Sequence, residues 1–160
     1  GLNEEIIDIV DTNWPIIEGE GVRVELNLGS SEQPVMVDRG RFSGVITNLI
    51  KNSIDAMRDQ KKKRLYINTQ TSGANTHIVV QDTGRGIPPE IIGKIVEPDF
   101  TTKRDGNGFG MYMIVSSVKA HGGTIAVASV TPQMISERPD LYRGVQPGTT
   151  FRISLPTYSA

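Results

Sequence analysis

The chain has 160 residues, 37% of them apolar and 22% charged, with a formal net charge of -1. That length suits one domain with a true core and is short for two. The near-neutral balance excludes broad charge-driven binding to nucleic acid, and the absence of cysteine excludes disulfides and thiolate metal sites. There is no bilayer-spanning apolar run and no signal-peptide pattern, so the expectation is a soluble, cytoplasmic domain without direct membrane contact. A membrane anchor elsewhere in a longer parent protein is compatible with this.

Leu2 to Ile17 reads as a helix: Ile6, Ile9, Val10 and Asn13 recur at helical spacing, Asn3 is a candidate cap, and Pro15 blurs the far end. Val22 to Leu28 alternates strictly, as a half-buried strand does, and Val35-Met36-Val37 reads as a short second strand. Asp38 is placed to cap a helix over Arg41 to Met57. Arg64 to Thr71 and His77 to Gln81 form an antiparallel pair around the turn Gly73-Ala74-Asn75. Gly84 to Gly108 is a long loop rich in glycine and proline, interrupted by a short helix at Pro89 to Val96. Phe109 to Ala120 is an apolar helix with a glycine cap in His121-Gly122-Gly123. Strands at Thr124 to Val130 and Thr149 to Leu155 finish the chain, with Thr131 to Gly148 between them as an extended surface turn. This order predicts an α+β fold: a two-layer α/β sandwich with one mixed, mostly antiparallel sheet and helices on one face.

In the Arg41–Met57 helix, Phe42, Ile46, Leu49, Ile50, Ser53, Ala56 and Met57 gather on one side, and Asn48, Lys51, Asn52 and Asp55 on the other. On the helix alone, a solvated face is the simpler account. Residues further along the chain supply the chemistry. Gly106, Gly108 and Gly110 let the backbone approach a bulky anion, and the helix beginning near Phe109 aims N–H groups at it. The pattern is neither a Walker loop nor a dinucleotide fingerprint. Asn52 offers an amide oxygen to magnesium, which is commonly shared with substrate phosphates and water. Asn48 lies one turn earlier. Asp82, at a strand end, can accept a hydrogen bond from an exocyclic amino group and so select adenine over guanine. Lys103 and Arg104 can balance phosphate charge.

The ordered set Asn48-x-x-x-Asn52-x-x-Asp55-Ala56, Asp82-x-Gly84-x-Gly86-Ile87-Pro88, Glu97-Pro98-x-Phe100-Thr101-Thr102-Lys103, Gly106-x-Gly108-x-Gly110 and Gly148-Thr149-Thr150-Phe151 resembles the catalytic domain of bacterial sensor histidine kinases. These stretches are similar to that family's N, G1, F and G2 boxes and its closing glycine-threonine motif. The resemblance spans essentially the whole chain and implies the Bergerat ATP-binding fold, shared with gyrase, mismatch-repair ATPases and the large heat-shock chaperone. It implies one domain over residues 1–160 with a flexible lid at about 97–110. It further implies a catalytic set of Asn48, Lys51, Asn52 and Lys103, with Asn52 on magnesium. The implied ATP-binding set adds Asp55, Asp82, Gly84, Gly86, Ile87, Phe100, Thr101, Thr102, Gly106, Gly108, Phe109, Gly110 and Thr149. In the water-hydrolysing branches a glutamate general base typically stands at the place of Asn48. An asparagine cannot take that proton.

The implied activity is ATP-dependent phosphoryl transfer to a histidine. His77 reads as a strand residue and His121 as a helix-end cap, and neither has the acidic residue and proline expected around an acceptor. The acceptor is therefore expected outside this chain, on a dimerisation domain, with a response regulator receiver domain as the onward partner. Two alternatives stand beside this: an ATP-hydrolysing conformational switch, and a non-catalytic nucleotide-binding regulatory module. The chain departs from the family pattern at Asp99, Asn107, Phe109 and the Met111-Tyr112 pair, which changes the bulk around the lid.

Overall fold

Helix α2 (Arg39–Met57) is held by packing rather than by helix propensity. Ser43, Gly44, Thr47, Asn48 and Asn52 each cost about 0.5–1 kcal/mol relative to alanine. Against that, Phe42, Val45, Ile46, Leu49, Ile50, Ile54 and Met57 are buried, and each such burial contributes roughly 1.5–3 kcal/mol. Asp38 caps the helix as expected, accepting from the Arg41 N–H at 2.9 Å. The computed structural model describes residues 1–30, 34–95 and 109–158. The sequence-predicted Phe100, Thr101, Thr102, Lys103, Gly106 and Gly108, with Asp99, Arg104 and Asn107, lie outside the described residues, as does the side chain of Phe109.

The five strands are β1 (Arg23–Leu28), β2 (Arg64–Ser72), β3 (Asn75–Asp82), β4 (Thr124–Val130) and β5 (Gly148–Pro156). Their order in the sheet is β1-β2-β3-β5-β4. β1 and β2 run parallel, which requires the α2 crossover between them, and the other three pairings are antiparallel. One phase of the sheet, including Leu65, Ile67, Ile78, Val80, Phe151, Ile153 and Leu155, enters a single core with α1 (Leu2–Gly19), α2 and α4 (Phe109–Ala120). The opposite phase, including Tyr66, Asn68, His77, Gln81 and Arg152, is half-buried or exposed. The helices thus cover one face, as predicted.

Several local expectations need correction. Asn3 does not cap α1; Gly1 holds the cap position without a side-chain bond. Asn3 instead donates to the Gly29 carbonyl at 2.8 Å and accepts from the Thr69 hydroxyl at 2.8 Å, fastening α1 to the sheet. α1 also runs through Pro15 to Gly19, because Leu2, Ile6, Ile9, Val10, Asn13 and Ile17 bury one continuous stripe. β1 is less buried than its alternation implied, since it is an edge strand and Leu26 is exposed. Val35–Val37 is not a strand: Val35 forms one isolated bridge to Thr157. The loop helix α3 stops at Ile92 (Pro89–Ile92). The segment Thr131 to Gly148 contains a helix, α5 (Pro132–Glu137), capped by the Thr131 hydroxyl on the Met134 N–H at 3.2 Å. Thr131-Pro132 was the available signal: a capping residue followed by proline at the first helical position.

Candidate functional site

The site is built where β3 ends above the C-terminal half of α2. Asp82 ends β3 in its inward phase and is 4% exposed. Its Oδ1 accepts the Gly84 N–H at 2.9 Å and the Thr149 N–H at 3.2 Å, and the Ser53 hydroxyl of α2 donates to the same carboxylate. Burial pushes the carboxyl above its usual range, while these three hydrogen bonds and the charge of Arg85 oppose the shift. A buried carboxylate anchored in this way presents a fixed acceptor to a ligand.

The turn after Asp82 is fastened on three sides. The Thr83 hydroxyl donates to the Lys62 carbonyl at 2.8 Å and accepts the Arg64 N–H at 3.0 Å. The Arg85 N–H donates to the Ala56 carbonyl at 2.9 Å, and its guanidinium reaches the Asp55 carbonyl at 3.3 Å. A Cβ on Gly84 would sit 2.7 Å from Ala56 Cβ and 2.8 Å from Ala56 O, so only glycine fits against α2 there. Gly86 has φ +75° and backs onto the Val130 carbonyl. The Ile87 N–H donates to Ser129 Oγ at 2.6 Å.

The polar face of α2 is not a plain solvated surface. Asn48, Asn52 and Asp55 are half-buried, and Lys51 is exposed. The Asn52 Nδ2 is directed at Met111 Sδ in the first turn of α4, 3.7 Å away. An amide oxygen is of the chemical type that magnesium prefers, so the Asn52 side chain fits as one ligand of such an ion. Asp55 pairs with Arg58 at 3.1 Å. No group of three or more His, Cys, Asp or Glu suited to a metal occurs among the described residues.

Asp82, Gly84, Gly86, Ile87 and Thr149 are therefore brought together as one frame, with Asn52 and Met111 linking α2 to α4 beside it. Ser53 and Ser129 were not singled out by the sequence. Each nonetheless had a signal: a serine in an otherwise apolar phase, Ser53 on the buried face of α2 and Ser129 after Ile125 and Val127 in β4, needs a partner. The histidines take structural roles. His77 Nδ1 meets Ser154 Oγ at 2.8 Å, and burial and then Arg152 lower its pKa. His121 Nε2 accepts the Asp38 N–H at 2.9 Å, so the proton is on Nδ1, which meets the Ser117 carbonyl at 2.6 Å.

Residues 37–159 match the model of the histidine kinase-, DNA gyrase B- and HSP90-like ATPase family. The chain belongs to this family. Curated relatives that it matches are sensor histidine kinases. It is 30% identical to sensor kinase CckA of Brucella abortus over 97% of this chain and 17% of that protein. It is 28% identical to sensor protein FixL of Bradyrhizobium diazoefficiens over 86% of this chain and 25% of that protein. The chain thus spans a quarter or less of the length of these relatives. Among solved structures, the catalytic domain of histidine kinase ThkA superposes with a TM-score of 0.79 at 25% identity, covering 98% of this chain and 92% of that one. Full-length ShkA, solved with AMPPNP, shares the fold at a TM-score of 0.80 and 19% identity, covering 100% of this chain and 31% of that one. ThkA has also been solved with the response regulator TrrA.

Proposed function

We propose that this chain is one catalytic domain, acting in the cytoplasm, that binds ATP with magnesium and transfers the γ-phosphoryl group to a histidine on a separate dimerisation domain. A response regulator receiver domain is the onward partner of the parent protein. The observation that carries the reading is the buried Asp82 carboxylate, framed by the Gly84 and Thr149 N–H groups beside the amide-bearing face of α2.

In this reading Asp82 accepts the adenine amino group, and Gly84, Gly86 and Ile87 line the base. Asn52 holds magnesium, which neutralises phosphate charge when bound. Asn48, Lys51 and Asp55 sit beside the phosphates, and Gly110 and the backbone of Phe109 open α4 toward them. Thr149 keeps Asp82 in place. The segment 97–110 closes over the triphosphate, with Phe100, Thr101, Thr102, Lys103, Gly106 and Gly108 in it. Asn48 supports transfer over hydrolysis, because an amide cannot take a proton from water. The work of such a domain is positioning and charge stabilisation around the transferred group.

The test is incubation of the domain with labelled ATP and the dimerisation domain of its own parent. Acid-labile, base-stable label on that partner, lost in Asn52→Ala, is the expected result. Steady phosphate release by the isolated domain would point to a hydrolytic switch. Tight ATP binding without transfer would point to a regulatory module.

A further inference from the structure

We infer that Ser129 is a positioning residue for the base pocket: its hydroxyl fastens the turn that carries Asp82 to the strand that holds Asp82 from the other side. Ser129 Oγ lies 2.6 Å from the Ile87 N, 3.1 Å from the Gly148 O and 2.8 Å from Thr149 Oγ1. A hydroxyl has one proton and two lone pairs. One arrangement uses all three: Ser129 accepts from Ile87 N–H and from Thr149 Oγ1–H, and donates to the Gly148 carbonyl.

Those partners lead directly to the carboxylate. Ile87 ends the turn that begins at Asp82, and Gly84 within that turn donates to Asp82 Oδ1. Thr149 donates to the same oxygen from β5. The two N–H groups that hold the carboxylate therefore come from segments joined through one serine on a third strand, β4. Close backbone approaches leave the node little slack. Gly86 has φ +75° against the Val130 carbonyl and Ser129 Oγ, and Gly148 lies against the Asp82 carbonyl. Removing the Ser129 hydroxyl frees the Ile87 N–H and cuts the link between the far end of the turn and β5, so the carboxylate is held less firmly while the sheet ladder between β4 and β5 stays paired.

The inference rests on Asp82 being the adenine acceptor, and the test separates the two. Calorimetric titration of Ser129→Ala should show ATP and adenosine weakened by the same factor, about tenfold, the equivalent of one hydrogen bond supporting a charged group. GTP binding should change less, so the ATP-to-GTP preference falls. Ile17→Val, a core change in α1 remote from the node, should lower Tm and leave that preference intact. Folded Ser129→Ala with ATP and adenosine affinity within about twofold of wild type overturns the inference. Loss confined to the phosphates, with adenosine binding unaltered, also overturns it. If Ser129→Ala does not fold, hydrogen exchange on the unsubstituted protein decides. Ile87 N–H protection comparable with that of the central strands supports the node, and rapid Ile87 exchange ends it. Failure of the wild-type chain to bind any adenine nucleotide would instead remove the reading of Asp82, whatever Ile87 shows.

Discussion

The backbone N–H of Thr149 donates to Asp82 Oδ1 at 3.2 Å across 67 positions of sequence. β3 and β5 are neighbours in the sheet, and Gly148 tolerates φ +153° against the Asp82 carbonyl, so the closing glycine-threonine pair meets the carboxylate directly. A side chain on Gly148 would drive the two apart.

Asp82→Asn separates stability from binding. Burial raises the folded pKa of Asp82 above the ordinary value of 3.8. The stability linked to its protonation is therefore fully present below the unfolded pKa, near 3.8, and is lost as pH rises through the higher folded value. Asp82→Asn should match or exceed wild type in Tm at pH near 7, and that advantage should vanish in acid. ATP affinity should fall roughly 10- to 100-fold, the range for losing a hydrogen bond to a charged acceptor. Melting curves across pH and a nucleotide titration check both parts.

Gly84→Ala should destabilise the protein by about 1–3 kcal/mol, because the new carbon meets the Ala56 carbonyl, which is backbone and cannot swing away. For a chain of this length that is a drop in Tm of roughly 3–10 °C. Gly44→Ala in α2, with nothing within 4 Å of the added carbon, should instead leave Tm unchanged or raised.

Asn52→Ala should abolish the magnesium-dependent part of ATP affinity and leave the fold in place, since Asn52 is half-buried and its Met111 contact is long at 3.7 Å. Titrations with and without magnesium read this difference. Cooperative unfolding of Asn52→Ala well below the wild-type Tm would show that the residue serves the α2–α4 packing instead.

His121→Ala should cost about 1–3 kcal/mol, because the imidazole link between the Asp38 N–H and the Ser117 carbonyl is lost at both ends. Thermal melts of the variant beside wild type measure that loss. Incubation with labelled ATP should leave His121 unlabelled, both ring nitrogens being engaged by backbone groups.

Much of this domain was legible in the residues. The Asp38 cap, the apolar stripe of α2, the bounds of α4 and β4 and the β2–β3 hairpin all derive from short-range rules of period and capping, and the structure keeps them. Asn48, Asn52, Asp82 and the glycines stood out through their order along the chain, since on the helix alone a solvated face was the simpler account. Local pattern could not give the reach of α1 through Pro15, where burial outweighs one lost hydrogen bond, or the exposure of β1, which depends on its place at the sheet edge. Nor could it give Asn3 bonding Gly29 and Thr69 rather than its own helix end. The deepest limit lies at Asp82: its strand, its chemistry and its bond from Gly84 are written locally, but its burial, its raised pKa and its hold by Ser53 and Thr149 exist only once α2 and β5 are packed against β3. Hydrogen bonds and desolvation depend on distance in space, and the chain order alone carries no such distance.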